Sequence, residues 1–215
     1  MITDKETNKV YFSSLIKTEK YQGFWNTLES ILVKHKVHFD FIEGTRDIWC
    51  RDYMPIQVNK KQFVQFKYFP DYCLTHEHIG ELTIQRELEF EYPRRTNIKL
   101  VDLTLDGGNV VKSNNKAILT EKVFTENRNR LPESVIKMLR KALGVAELHF
   151  IPVQPYDYTG HADGMVRFLN ENTLLVNDYS STKESDSWQK KFYKAIDKIE
   201  IDVIPFPYAV FEKKS

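Results

Sequence analysis

Three short polar motifs recur along the chain at nearly constant spacing, and this regularity constrains the fold more than any other feature. The motifs centre on Asp52, Asp106 and Asp163, which are 54 and 57 residues apart. Each motif lies among segments whose residue pattern is typical of strands. A supersecondary unit repeated at a fixed pitch predicts copies that are stacked or arranged radially. We interpret the strand-like segment 201–206 as the start of a further copy.

Hydrophobic periodicity predicts three helices, and each is followed by a β-rich segment. Apolar residues recur at helical spacing over 18–35, 132–143 and 186–199. Pro132 suits the first turn of the second helix, and Gly144 suits its C-terminal end. The predicted strands are 37–42, 55–58, 62–68, 99–103, 109–112, 117–120, 147–153, 165–169, 173–177 and 201–206. The expected fold class is α+β, in a single domain over residues 1–215.

The charge balance and the cysteine count exclude several classes of protein. The chain has 31 Lys and Arg against 30 Asp and Glu, which gives a net charge of +1. That balance provides no electrostatic basis for binding nucleic acid or a membrane surface. Because the sequence has no 18-residue apolar run and no apolar leader, we expect neither a membrane helix nor a signal peptide. Two cysteines are too few for a disulfide-rich scaffold, and we expect a cytoplasmic protein.

The first motif runs from Asp47 to Pro55 and contains adjacent opposite charges at Arg51 and Asp52. In an extended segment these neighbours would point to opposite sides of the chain. One of them could then be fixed structurally while the other meets a ligand. The alternative is that Trp49 lies in the core and both charges are ordinary surface groups.

The second motif is the segment 106–109, Asp-Gly-Gly-Asn. Two glycines after a carboxylate allow a positive φ and a close approach of the backbone to a ligand. An ordinary hairpin turn is the alternative, because Asp-Gly is also a strong turn signal. Taken by itself, this motif therefore does not separate a binding loop from a plain turn.

The third motif places His161 and Asp163 two residues apart. On a strand the two side chains would share one face, because successive residues alternate between faces. A histidine beside a carboxylate suits general acid–base catalysis. The alternative is a histidine that is hydrogen-bonded within a turn and has no catalytic role.

Metal binding is a rival interpretation of the same residues. The histidine and the aspartates of the three motifs could hold a divalent ion. A partial zinc site could also be formed by Cys73, His76 and His78, although no second ligand pair follows at the required spacing. The chain has neither a P-loop nor the glycine motif of dinucleotide-binding folds. The residues alone leave the metal interpretation open.

In this order, the three motifs resemble the agmatine deiminase and bacterial-type peptidylarginine deiminase family of the guanidine-modifying pentein superfamily. The resemblance is carried by Asp47, Trp49, Arg51, Asp52 and Pro55, by the segment 106–109, and by His161, Asp163, Gly164, Arg167 and Phe168. The matched positions span about residues 40–180. The resemblance implies a pentein-type α/β propeller of repeated ββαβ units, of which this chain would hold about three complete units and the start of a fourth.

The resemblance also implies a mechanism and a role for each residue. Asp52 and Asp163 would bind the planar guanidinium group through charge-assisted hydrogen bonds, with Trp49 beside the substrate. Asp106 would orient His161, which would act first as general acid for the departing ammonia and then as general base for water. A cysteine thiolate would attack the guanidinium carbon and form a covalent intermediate, and the resemblance implies that no metal and no organic cofactor is needed. The expected partner is a small guanidine substrate such as agmatine, with a role in putrescine biosynthesis.

The chain departs from the family pattern at its nucleophile. Neither Cys50 nor Cys73 occupies the position of the family's catalytic cysteine, and we expect both to be incidental thiols. Asp106 stands where the family usually has Glu, and Met54 stands where it usually has Gly. Two expectations fit this departure: either the chain is an N-terminal piece of a longer product, or it is a degenerate family member.

Several alternatives stay open from the sequence. The chain could be a catalytically inactive guanidinium-binding module, a peptidyl-arginine deiminase or an amidinotransferase, since all of these recognise the same group. The residues that read the far end of the substrate are expected in the loops 68–81 and 154–160, where Tyr156, Asp157 and Tyr158 are candidates. Oligomeric state, a homo-oligomer included, is not readable from the sequence.

Overall fold

The computed structural model of the protein describes residue 3 and residues 6–76, 78–91 and 96–208. These residues form two compact units, and the boundary between the units falls between Gly107 and Gly108. Both units are α+β and are built from small sheets of two or three strands. Within the described ranges, no helix is long and apolar enough to cross a membrane.

The N-terminal unit begins with a parallel strand pair, β1 (Val10–Ser13) and β2 (Phe39–Ile42), connected by helix α1 (Gln22–Lys34). α1 starts four residues later than predicted, because the residues before it form two 3-10 turns. Trp25 of α1 packs edge to face on three rings of the strand pair, Phe12, Phe39 and Phe41, at centroid distances of 5.5, 5.6 and 5.2 Å. Aromatic quadrupoles favour this T-shaped geometry, so these rings form a small aromatic core.

The same unit continues with the single helical turn α2 (Cys50–Tyr53) and a three-stranded sheet. Strand β3 (Ile56–Asn59) pairs antiparallel with β4 (Gln62–Lys67), and β5 (Asn97–Thr104) pairs parallel with β4. The crossover from β4 to β5 contains three short 3-10 turns, Asp71–Leu74, Ile79–Glu81 and Gln85–Glu87. No α-helix is present in the described part of this crossover.

One side chain holds much of that crossover in place. The amide nitrogen of Gln85 donates to the carbonyl oxygens of Tyr53 and Phe66, at 3.0 and 2.9 Å. Its side-chain oxygen accepts from the backbone N–H of Tyr68 at 3.1 Å. Gln85 thus ties the crossover to backbone groups at the end of α2 and at the end of β4.

The C-terminal unit contains two sheets that repeat this strand arrangement. In the first, β6 (Val111–Lys112) is antiparallel to β7 (Lys116–Thr120), and β8 (Glu147–Ile151) is parallel to β7. Two helices lie in the crossover from β7 to β8, namely α3 (Lys122–Glu126) and α4 (Pro132–Leu143). α4 spans the predicted residues, and Gly144 ends it in the left-handed region at φ 65°.

In the second sheet, β9 (Val166–Asn170) is antiparallel to β10 (Thr173–Asp178), and β11 (Asp202–Pro207) is parallel to β10. Helix α5 (Asp186–Asp197) forms the crossover, and the Ser185 hydroxyl caps its N-terminus by accepting from the N–H of Trp188. The helix packs Trp188 and Phe192 onto the fully buried ring of Tyr179, with centroid distances of 5.0 and 5.3 Å. These rings form the centre of the C-terminal hydrophobic core.

Three sheets share one order, in which an antiparallel hairpin is followed by a crossover to a parallel third strand. The predicted repeat is therefore confirmed as three three-stranded units. β11 pairs parallel with β10, as β5 pairs with β4 and β8 pairs with β7, so the segment 201–206 lies where a copy of the predicted repeat begins. The N-terminal pair β1–β2 has the same parallel crossover, and among the described residues it has no hairpin partner.

Candidate functional site

The first motif is a compact turn organised by Asp47. The carboxylate of Asp47 accepts from the N–H of Trp49 at 2.6 Å and from the Thr83 hydroxyl at 3.3 Å. The Tyr53 hydroxyl donates to the Asp47 carbonyl at 3.0 Å. Burial raises the pKa of Asp47 to about 6, against the lowering effect of these hydrogen bonds. Asp47 therefore has a structural role in shaping the motif.

Arg51 and Asp52 lie on the helical turn α2, so the predicted extended conformation is wrong. An Asx turn, in which the Asp47 carboxylate accepts from the N–H of Trp49, leads the chain into this helical turn. Trp49, immediately before the turn, is 66% exposed, which excludes the alternative that placed this indole in the core. An exposed indole beside Asp52 is instead available to a ligand.

The second motif is fixed against the first by a close backbone approach. Arg51 donates through Nε to the carbonyl oxygen of Gly107 at 3.0 Å. A Cβ atom on Gly107 would overlap the Arg51 carbonyl oxygen and lie 3.0 Å from the carbonyl carbon. Close approach was predicted for these glycines, but the group approached is the protein's own backbone. Among the described glycines, positive φ occurs elsewhere, and Gly107–Asn109 forms a 3-10 turn. That turn also shortens the predicted strand 109–112 to its last two residues.

Two of the predicted carboxylates of the N-terminal unit lie near the same phenol. Asp106 is almost completely buried, with 1% of its surface exposed. The pKa of Tyr72 is raised by burial first and then by the negative charges of Asp106 and Asp52. The structure therefore brings Asp52 and Asp106 into electrostatic range of Tyr72. Sequence analysis did not identify Tyr72, although it lies in the loop 68–81 that was expected to contact substrate.

Neither cysteine is in an environment that favours a thiolate. Burial raises the pKa of Cys50 to about 11, while a hydrogen bond from the Tyr53 hydroxyl at 3.3 Å acts in the opposite direction. Cys73 is buried, and its pKa is likewise raised by burial. A nucleophilic cysteine needs a lowered pKa, because the thiolate is the reactive form. Neither thiol is therefore in the state that a nucleophilic cysteine requires.

The third motif lies in a turn of the C-terminal unit, before β9 begins. The predicted strand face shared by His161 and Asp163 is therefore wrong. Asp157 organises the turn, since its carboxylate accepts from the N–H groups of Thr159 at 2.9 Å and of His161 at 3.3 Å. Gly160 adopts φ 66°, which reverses the chain just before the histidine. His161 is buried, with 6% exposed, whereas Asp163 is exposed.

Two further contacts connect this turn to neighbouring segments of the same unit. The N–H of Asp163 donates to the carbonyl of Gly108 at 3.1 Å. The Thr120 hydroxyl donates to the Gly160 carbonyl at 2.6 Å, and the N–H of Thr120 donates to the side chain of Asn109 at 2.8 Å. The motif 160–164 is thus tied to the Gly-Asn half of the second motif. No local sequence signal identified Thr120, because its partners are 11 and 40 residues away.

The loop residues expected to contact the substrate away from its guanidinium are of two kinds. Tyr156 and Tyr158 are exposed, at 59% and 76%, and Lys183 lies 4.5 Å from the centre of the Tyr156 ring. Asp157 between them turns inward to form the hydrogen bonds described above. The two tyrosines remain candidates for a substrate-contacting lip, whereas Asp157 is structural.

Neither rival metal site is assembled among the residues that the structure describes. In the part of the chain that the structure describes, no group of three or more His, Cys, Asp or Glu residues is placed to hold a metal ion. Of the partial zinc set, Cys73 is buried in a 3-10 turn and His78 pairs with Glu81 at 3.1 Å. The residues of that set therefore do not converge.

Comparison with known proteins places these motifs in a family context. The family model described as Porphyromonas-type peptidyl-arginine deiminase matches residues 6–202. No curated protein matches the chain in sequence.

Several solved protein structures are similar to this chain. C. jejuni agmatine deiminase with substrate bound has a TM-score of 0.69 at 14% identity, and the match covers 96% of this chain and 74% of that protein. The agmatine deiminase of Enterococcus faecalis has a TM-score of 0.59 at 16% identity, covering 93% of this chain and 57% of that protein. The DDAH of Pseudomonas aeruginosa with citrulline bound has a TM-score of 0.50 at 14% identity, covering 87% and 66%. At these identities the likeness concerns the fold.

Proposed function

Because this chain belongs to the Porphyromonas-type peptidyl-arginine deiminase family, within the pentein superfamily, we propose that it recognises the guanidinium group of agmatine or a related arginine derivative. The family is one of guanidine-modifying hydrolases with an α+β propeller fold. The finer proposal is that Asp52 and Asp163 bind the guanidinium, Trp49 contacts the substrate, and Asp106 and His161 carry the acid–base chemistry.

The observation that carries the proposal is the burial of the polar groups in the motifs. Asp106 and His161 are 1% and 6% exposed, although burying a carboxylate or an imidazole is energetically unfavourable. Such groups are commonly held in that state where they serve chemistry. Asp163 and Trp49 are exposed and available to a soluble ligand.

The proposed reaction is hydrolysis of the guanidinium to a ureido group and ammonia. A thiolate attacks the guanidinium carbon, and the C–N bond breaks as His161 protonates the leaving ammonia. His161 then deprotonates water, which adds to the carbon as the C–S bond breaks. The raised pKa of Cys50 and the burial of Cys73 make both unsuited to supply that thiolate. We therefore expect these 215 residues to bind the substrate without turning it over.

Isothermal calorimetry with agmatine tests the recognition step. We expect binding that Asp163→Asn weakens at least tenfold, because a charge-assisted hydrogen bond contributes about 1.5–3 kcal/mol. Asp197→Asn is the matched control, since Asp197 is an exposed carboxylate of the same unit on α5. Putrescine is the ligand control, because it carries the amine of agmatine but no guanidinium.

Two results would contradict the proposal. No heat on adding agmatine would refute guanidinium recognition, and equal affinity for putrescine would reduce it to general attraction of cations. Agmatine, arginine and an N-acetylated arginine amide share the guanidinium and differ at the opposite end of the molecule. Competition among them then identifies which of these ends the protein prefers. Formation of ureido product by the chain would contradict our interpretation of the two cysteines.

A further inference from the structure

Three polar groups of the backbone just before His161 are each bound by a different side chain. The carbonyl of Thr159 accepts from Lys122, the carbonyl of Gly160 accepts from Thr120, and the N–H of His161 donates to Asp157. Loop backbone is normally paired with water or with neighbouring backbone. Side-chain pairing of these three groups fixes the direction in which the following imidazole leaves the chain.

Lys122 is the least expected member of this set. Its side chain is 6% exposed, and its ammonium donates to the Thr159 carbonyl at 2.7 Å. The same ammonium lies 3.3 Å from the carboxylate of Glu126, whose side chain is 4% exposed. Burying both charges is costly, and a hydrophobic replacement is often equally stable. Stability alone therefore does not account for a lysine at this position.

The aliphatic part of Lys122 supports the same turn sterically. A Cβ atom on Gly160 would lie 3.2 Å from Cδ of Lys122 and 3.1 Å from a methyl group of Val153. The lysine stem thus packs directly beneath the residue that precedes His161. Glycine suits this position because of its positive φ, and a side chain there would also be in tight contact with Val153 and Lys122.

Thr120 provides the second fixed point. It is completely buried, and its hydroxyl donates to the Gly160 carbonyl at 2.6 Å while accepting from the N–H of Lys122 at 3.4 Å. The N–H of Thr120 is itself bound to the Asn109 side chain. Thr120 is therefore fixed by Asn109 through its backbone, and its hydroxyl in turn fixes the backbone that precedes His161.

We propose that Thr120 and Lys122 are positioning residues for His161, which they act on through the backbone of Thr159 and Gly160. The importance of this role rests on the proposed function, in which His161 transfers protons. Misplacement of a proton-transferring group by about 1 Å can cost on the order of a hundredfold in rate. A turn fixed by buried side chains keeps the imidazole in place before substrate arrives.

Site-resolved modification of histidines by diethylpyrocarbonate measures the effect without requiring turnover. His161 is buried and His35 is exposed. The modification rate of His161 divided by that of His35, measured by peptide mass mapping, therefore reports local opening of the turn. We expect Thr120→Val and Lys122→Met to raise the ratio about tenfold or more. Thr120→Ser keeps the hydroxyl and should restore the wild-type ratio.

Lys116→Met is the matched control, because Lys116 is a lysine of the same unit whose ion pair with Glu147 lies near the surface. It should leave the ratio unchanged. A purely structural role would lower the thermal midpoint of the Thr120 and Lys122 variants without changing the ratio, and that result would overturn the proposal. If Lys122→Met does not fold, the Thr120→Val and Thr120→Ser pair still decides the matter.

Agmatine separates this inference from the proposed function. Protection of His161 by agmatine in the wild-type protein supports both. Absence of protection counts against guanidinium recognition, while the ratios measured without ligand still report the positioning role. Equal ratios in the wild type and in Thr120→Val refute the positioning role whatever agmatine does.

Discussion

Replacing Gly107 by alanine should separate the first two motifs, and the structure sets the size of the effect. The new Cβ would overlap the Arg51 carbonyl oxygen, and that obstacle is backbone rather than a flexible side chain. Relief requires the two backbone segments to move apart by about 1 Å, and such overpacking typically costs 1–3 kcal/mol. The hydrogen bond from Arg51 to the Gly107 carbonyl, worth about 1 kcal/mol, would be strained or lost as well. We expect a total loss of about 2–4 kcal/mol.

Urea unfolding followed by circular dichroism and by tryptophan fluorescence measures that loss. Gly23→Ala is the control in the same unit, because Gly23 lies in α1 with no atom within 4 Å of its added Cβ. Alanine there should stabilise the protein by about 0.5–1 kcal/mol, since glycine is unfavourable in a helix. Agmatine binding should fall with Gly107→Ala and be unchanged with Gly23→Ala.

A clear outcome would refute this reasoning. If Gly107→Ala unfolds within 0.5 kcal/mol of the wild type, the close approach to Arg51 does not constrain the motif. If both alanine variants lose the same stability, the effect belongs to glycine replacement in general. Loss of agmatine binding with unchanged stability would place Gly107 in contact with the ligand instead.

Two further predictions follow from the raised pKa values. Because the pKa of Asp47 is about 6 when folded and 3.8 as a reference, the folded state binds more protons between these values, and stability should fall by up to about 3 kcal/mol as pH rises from 4 to 6. Asp47→Asn should remove this fall of the urea midpoint between pH 4 and 6. If the midpoint of the variant falls with pH as steeply as that of the wild type, the prediction is wrong. Iodoacetamide at pH 7 should alkylate Cys50 and Cys73 more slowly than it alkylates free cysteine, because both pKa values are raised. Faster alkylation of either would mark it as an activated thiol.

Elements with local signals were predictable from the sequence. α4 was located from its apolar period, its first-turn proline and its terminal glycine, and each of these acts over a few residues. The threefold repeat was also readable, because every copy carries the same order of strand patterns. The strand at 201–206 was predictable from its β-rich pattern, whereas its pairing partner was not. That partner, β10, is fixed by the return of the chain through α5.

The conformations of the motifs were not predictable, because distant groups set them. α2 is helical where an extended segment was expected, since Asp47 is pinned by Thr83, 36 residues away. The turn at His161 depends on Thr120, 40 residues from its Gly160 partner. Lys122 has no local feature that distinguishes it from the other lysines. The residue types needed for the site were therefore visible, whereas the residues that hold them were not.

The crossover from β4 to β5 has a consequence for how this protein can diverge. Inserting one residue into an amphipathic helix such as α4 or α5 rotates all later side chains by about 100° and disrupts the buried face. Short turns pinned by Gln85 have no such period, so residues can be gained or lost between the pinned points while β5 keeps its register. Tyr72 lies within this segment, near Asp52 and Asp106. Under the proposed function, insertions and deletions here would change ligand preference without any change to the sheet.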